Sequence, residues 1–148
     1  NAGEEADAAT LQLLRVRDAI AAERKLAPAE LPLDTLLDDE DNRDELDDLN
    51  DDLELPDAGD REDAMIAADP TLKDKDLTAQ VYRQMLQDVA ARQAIDKADL
   101  LALADQRALA IKQYLVESAG LDHSRIRMAK TRKKDLKGRV CELGLIPG

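Results

Sequence analysis

The sequence predicts a mainly α fold with a small C-terminal β element, an α+β arrangement in which amphipathic helices pack with a β-hairpin. Three observations lead there. Leucine and alanine supply 24 residues each of the 148, while phenylalanine and tryptophan are absent and tyrosine occurs only at Tyr82 and Tyr114. Leu and Ala lead the helix scale, and the aromatic strand formers are nearly missing. Apolar residues recur at helical spacing up to Gly120 and then alternate at a period of two. The length is that of one ordinary domain, too short for a second large core.

The first helix spans about residues 6–25, with Ala9, Leu13, Val16 and Ile20 on one line and Leu11 and Leu14 widening it. Pro28 ends it, and Pro32 keeps the following residues irregular until Asp34 caps a short turn carrying Leu36 and Leu37. From about residue 42, Leu46, Leu49 and Leu53 form a sparse stripe within a wall of carboxylates. Like charges at helical spacing oppose a helix there, so a docked helix and a disordered acidic arm both remain open. Pro56 and Gly59 close this stretch; a short helix over 61–68 then starts on Asp60 and stops before Pro70.

A stronger helix covers 77–94, with Leu77, Val81, Met85 and Val89 in line. Asp96 caps the next, which carries Leu100, Leu101, Leu103, Ala104, Ala108, Ile111, Leu115 and Val116 and ends at Gly120 in a left-handed cap clasped by Leu121. Beyond it, Ile126 and Met128 alternate with basic residues, and Cys141, Leu143 and Leu145 alternate in turn; residues 131–138 are the basic loop joining the two strands. The organisation expected is residues 1–75, an N-terminal helix with an acidic, partly disordered segment, followed by residues 76–148, a helix-helix-hairpin part.

Charge is distributed very unevenly. Residues 34–63 hold sixteen acids and two bases, a net of −14 within a chain of net charge −12. Residues 125–139 hold Arg125, Arg127, Lys130, Arg132, Lys133, Lys134, Lys137 and Arg139 against Asp135 alone, a net of +7. These eight bases are the candidate contact patch. Two readings stand side by side: an acidic arm with a separate basic contact face, or two segments that neutralise each other within a chain or across two copies.

Little else carries chemistry. A lone cysteine forms no internal disulfide, and no apolar run is long enough to cross a bilayer. The first residues have neither a basic nor an apolar targeting region. The aspartates do not follow a calcium-loop spacing: Asp44 falls where the loop beginning at Asp39 needs glycine. Asp122, His123 and Ser124 are consecutive and cannot converge as a relay. No phosphate-cradling glycine loop is present, and the basic segment lacks the aromatics on which bases stack. The expectation is therefore a noncatalytic chain with no catalytic, metal or cofactor-binding residues and no nucleic acid partner.

Residues 100–116 (LLALADQRALAIKQYLV), followed by Gly120-Leu121-Asp122 and Ser124-Arg125-Ile126, resemble the L-x-x-x-R-A-x-x-V-x-x-Y-L helix and following strand of OmpA-like domains. Residues 138–143 (GRVCEL) resemble that family's closing strand. The likeness covers about 45 residues, and it puts Arg107 at the position of the arginine that grips the stem peptide in peptidoglycan-binding members. Their T-D-x-x-G turn has no counterpart here. A closer resemblance is to the C-terminal part of AsmA-related envelope proteins of Gram-negative bacteria, a domain of unknown function in which the same helix follows another amphipathic one. That likeness implies the periplasmic tail of an inner-membrane-anchored protein linked to envelope integrity or lipid transport, any membrane contact being made by an anchor elsewhere in the parent chain.

Three functions follow as expectations. The first is an interaction or assembly module in the envelope, with a protein partner or self-association. The second is peptidoglycan recognition through Arg107, and the third a cytoplasmic acidic scaffold. From the residues alone, Arg107 sits at the edge of an apolar stripe, where its stem packs while its guanidinium pairs with a carboxylate.

Overall fold

The computed structural model describes residues 2–128, and among them every regular element is helical. There are five α-helices: α1 (Ala2–Glu23), α2 (Glu40–Asp52), α3 (Ala58–Ala68), α4 (Asp74–Ala91) and α5 (Lys97–Glu117). Short 3-10 turns lie at Pro28–Glu30, Leu36–Asp38 and His123–Arg125. The described residues divide into two compact units, one of Ala9–Ala94 and one combining residues 2–8 with residues 95–128.

The Ala9–Ala94 unit holds the core. Val16, Ile20 and Ala21 come from α1, Leu31 and Leu36 from the connection, Leu46 from α2, and Met85, Leu86, Val89 and Ala90 from α4. The predicted line Leu77, Val81, Met85 and Val89 is buried along its whole length. No aromatic ring lies among these buried residues; Tyr82 packs only at the margin. α4 is the element on which α2 and α3 both pack. The end of α4 is fastened to α1 through main-chain carbonyls, Gln12 Nε2 donating to Gln93 O at 3.0 Å and Arg15 Nη1 donating to Ala94 O.

Helix boundaries follow local chemistry. Asp39 caps α2 by accepting from the Asp41 amide at 2.9 Å. Asp57 caps α3 by accepting from the Asp60 amide at 2.8 Å, so α3 begins three residues before the expected start and Gly59 lies inside its first turn. Asp96 and Asp99 close a reciprocal capping box on α5. The Leu26 amide returns to Ala21 O at 2.8 Å, and that of Leu55 to Asn50 O at 3.2 Å. These bonds close left-handed C-terminal caps in which Lys25 (φ 56) and Glu54 (φ 53) stand where glycine is usual. At the end of α5 the left-handed residue is Gly120 (φ 67), as the sequence predicts.

The expected β element is corrected. Asp122 accepts from both the Ser124 amide (2.8 Å) and its hydroxyl (2.7 Å), and the Ile126 amide is spent on His123 O. The chain therefore turns as a 3-10 helix where the first strand was to begin, and residues 126–128 carry no strand pairing. Two alternating residues, Ile126 and Met128, are too short a pattern to outweigh this local side-chain turn. No strand occurs among the described residues, so the α+β, hairpin-bearing class gives way to an all-helical one. The basic loop at 131–138 and the alternating segment at 140–145 lie outside the described residues.

Left-handed backbone costs a residue with a Cβ about 1–2 kcal/mol that glycine avoids, partly offset by glycine's greater entropy when unfolded. Lys25→Gly and Glu54→Gly are each expected to raise stability by about 0.5–1 kcal/mol, measured by urea denaturation. A loss of stability in both variants would contradict the cap assignment.

Candidate functional site

The polar residues of the Ala9–Ala94 unit converge on α2. Along its inner line, at successive four-residue steps, stand Asn42, Leu46 and Asn50, all buried. Each asparagine is gripped by an arginine from another segment. At the start of α2, Arg24 donates through Nη1 to Asn42 Oδ1 and to Asp39 Oδ2 (2.9 Å), and through Nη2 to Asp41 Oδ2 (3.1 Å). Asn42 Nδ2 then donates to Leu36 O at 2.9 Å. The Arg24 hydrogen bond, helped by the Asp41 amide, holds the exposed Asp39 carboxyl below its ordinary 3.8.

The end of α2 repeats the arrangement with a deeper cation. Arg61, on α3, has a side chain only 4% exposed. Its Nη2 donates to Asn50 Oδ1 (3.2 Å), its Nε to Pro56 O (2.9 Å) and its Nη1 to Asp88 on α4. Asn50 Nδ2 completes the set by donating to Leu55 O and Pro56 O at 3.3 and 3.1 Å. Asp88 is 45% exposed, so the buried guanidinium reaches a carboxylate that keeps contact with water.

A third polar contact joins the middle of α2 to α4. The Tyr82 hydroxyl donates to Asp47 Oδ2 at 2.8 Å, and the Arg43 guanidinium lies over the Tyr82 ring, 5.6 Å from its centre. Arg43 also donates to Leu37 O at 2.9 Å. Burial, then the Asp47 hydrogen bond, push the Tyr82 hydroxyl up to about 12.

Inward anchoring leaves the opposite side of α2 to carboxylates. Glu40, Asp44, Asp48 and Asp52 follow one another at four-residue steps and are exposed, with Asp41 and Asp51 beside them. Next to the helix start is an open cleft of about 300 Å³, with Leu31, Pro32, Leu36 and Asn42 among its walls and Glu30, Asp38 and Asp39 also lining it. The Asn42 amide offers the cleft little, since its oxygen serves Arg24 and its nitrogen Leu36. Among the described residues, no group of three or more histidine, cysteine or acidic side chains is arranged to hold a metal ion, and no helix is long and apolar enough to cross a membrane.

The residues singled out from sequence fall elsewhere. Arg107 Nη1 donates to Asp7 Oδ1 at 2.9 Å, joining α5 to the first turns of α1 within one unit; the two side chains are 32% and 14% exposed. Arg125 and Arg127 are exposed in and just after the last 3-10 turn. Lys130, Arg132, Lys133, Lys134, Lys137, Arg139 and Cys141 lie outside the described residues. His123 is exposed, while Asp122 is committed to the Ser124 amide and hydroxyl.

Sequence reasoning passed over Asn42, Asn50, Arg24, Arg61 and the Asp47–Tyr82 pair. A signal was present for the asparagines: they flank Leu46 at equal four-residue intervals, the only two amide side chains in a run of acids. The stripe through Leu46, Leu49 and Leu53 is rotated from the true inner line, and Leu53 is 36% exposed.

Comparison with known proteins finds no matching family model, no similar curated protein and no similar solved structure.

Removing one partner of a buried charged hydrogen bond leaves the other desolvated, at a cost of about 2–4 kcal/mol. Asn50→Ala and Arg61→Met are each expected to lose that much in urea denaturation, and the double variant to lose less than the sum. The partly exposed Arg107–Asp7 pair is expected to show a coupling of about 0.5–1 kcal/mol in a double-mutant cycle with Arg107→Ala and Asp7→Ala. Strict additivity would remove either pair from the account.

Proposed function

We propose that this chain is a noncatalytic interaction and assembly module whose recognition surface is the outer face of α2, and that its partner is a basic polypeptide. The observation that carries the reading is the pairing of an ordered, exposed carboxylate stripe at Glu40, Asp44, Asp48 and Asp52 with inward anchoring at Asn42 and Asn50. A polyanionic segment that stays disordered must be ordered on binding, which weakens each contact it makes. A stripe already fixed on a packed helix avoids that cost and presents its charges at constant spacing. Opposed charge steers encounter and selects basic surfaces over acidic ones.

A place in the Gram-negative envelope belongs to the proposal on the likeness of residues 100–116 to the AsmA-related helix. The hairpin half of the OmpA-like likeness does not support it, since the first strand is replaced by a turn. Peptidoglycan recognition through Arg107 is not carried forward, because the guanidinium is engaged by Asp7.

The test is fluorescence anisotropy with a labelled Lys/Arg-rich peptide and a neutral peptide of equal length. The basic peptide is expected to bind at low salt and to weaken as salt rises to about 0.15 M, where screening shortens to about 8 Å. The triple variant Asp44→Lys, Asp48→Lys, Asp52→Lys, checked for retained helicity, is expected to weaken binding by about tenfold or more, from roughly 0.5 kcal/mol or more per exposed charge. Equal affinity for both peptides, or no binding of either, would overturn the reading.

A further inference from the structure

We propose that the seam between α2 and α4 is an acid-tightened joint, in which proton uptake by Asp47 strengthens the hold of the acidic helix on the body of its unit. The geometry begins with a half-buried carboxyl facing α4, its Oδ2 2.8 Å from the Tyr82 hydroxyl. Asp44, Asp48 and Asp51 act on it from its own helix, and from α4 the group that reaches it is the Tyr82 hydroxyl. Arg43 lies over the Tyr82 ring and donates to Leu37 O. The ionised Asp47 therefore sits desolvated at a helix seam beside three like charges, with one neutral donor in compensation. A proton removes the desolvation cost and the repulsion along α2, and the neutral carboxyl still accepts the tyrosine hydrogen bond.

Burial is the largest influence holding the Asp47 carboxyl above its ordinary 3.8; the Tyr82 hydrogen bond opposes it, and Asp44, Asp51 and Asp48 add to the rise. A carboxyl that takes a proton more readily folded than unfolded stabilises the fold progressively as pH falls through its folded value, above 3.8. Asp39, Asp69 and Asp122 act with the opposite sign. Hydrogen bonds from Arg24, Thr71 and Ser124 respectively hold each below 3.8, so the stability they contribute is present at neutral pH and lost only as pH falls below that value. The two effects are thus separated in pH.

The test compares urea midpoints of the full chain at about pH 7 and about pH 4.5, the lower still above the ordinary 3.8 below which Asp39, Asp69 and Asp122 lose their contribution. The wild-type midpoint is expected to rise on acidification. Asp47→Asn, which keeps an acceptor for Tyr82 without the charge, is expected to raise the midpoint at neutral pH and shrink the acid-driven rise. Tyr82→Phe, which removes the one bond favouring the ionised form, is expected to enlarge it. Asp63→Asn, at an exposed position on α3, is expected to leave it intact. A wild-type midpoint that falls or stays constant would overturn the proposal, as would an Asp63→Asn variant that loses the rise as fully as Asp47→Asn, which would make general charge relief the cause. Because no partner is present in these measurements, they stand or fall separately from the basic-partner reading.

Discussion

A helix of thirteen residues with eight carboxylates has to be held down against its own charge, and the rest of the Ala9–Ala94 unit is arranged around that necessity. Repulsion between acids at three- and four-residue spacing works against α2 along its length. Leu46 is its one fully buried apolar side chain, with Leu49 packed only at the margin of the core. The two buried amides complete the anchor. An asparagine suits the position because it is neutral, yet accepts from a guanidinium on one side and donates to a loop carbonyl on the other. An aspartate in its place would bind the arginine and lose the donor to the loop; a leucine would strand both arginine and carbonyl.

The arginines carry more than charge. Arg24 gathers Asp39, Asp41 and Asn42 at the start of α2, which includes the residue that caps the helix. Arg61 gathers α2, α4 and the Pro56 carbonyl with all three of its nitrogens. A lysine has a point charge where this site needs a planar fork, so the geometry selects arginine. Once fully hydrogen-bonded, such a buried network is tolerated; partly bonded, it would cost more than an apolar contact. Among the described residues, no buried side-chain polar atom lacks a partner.

Much of this was legible in the sequence, and the remainder has physical reasons. Helix periods and aspartate caps are local: the line from Leu77 to Val89 and the Asp96 cap follow from spacing and side-chain chemistry alone. Gly120 was legible because glycine announces a left-handed residue, whereas Lys25 and Glu54 adopt the same conformation without any such sign. No strand begins at Ile126 because a two-residue alternation is weaker than the Asp122–Ser124 turn beside it. The clamps are hidden for a different reason. Arg24 and Asn42 are eighteen residues apart and Arg61 and Asp88 twenty-seven, and pairing at such distances leaves no periodic trace.

The same clamps settle which way α2 faces. Its core neighbours are leucines, valines and methionine without a ring among the buried residues, and such side chains tolerate rearrangement more readily than a core keyed by aromatic shapes. Turning α2 by one residue in either sense would bring Asp41 and Glu45, or Arg43, Asp47 and Asp51, toward the apolar interior, and would separate both asparagines from their arginines. Desolvating those charges costs several kcal/mol each, far above the difference between alternative leucine packings. The polar contacts, rather than the apolar ones, therefore fix the orientation of α2, and with it the set of carboxylates that faces solvent.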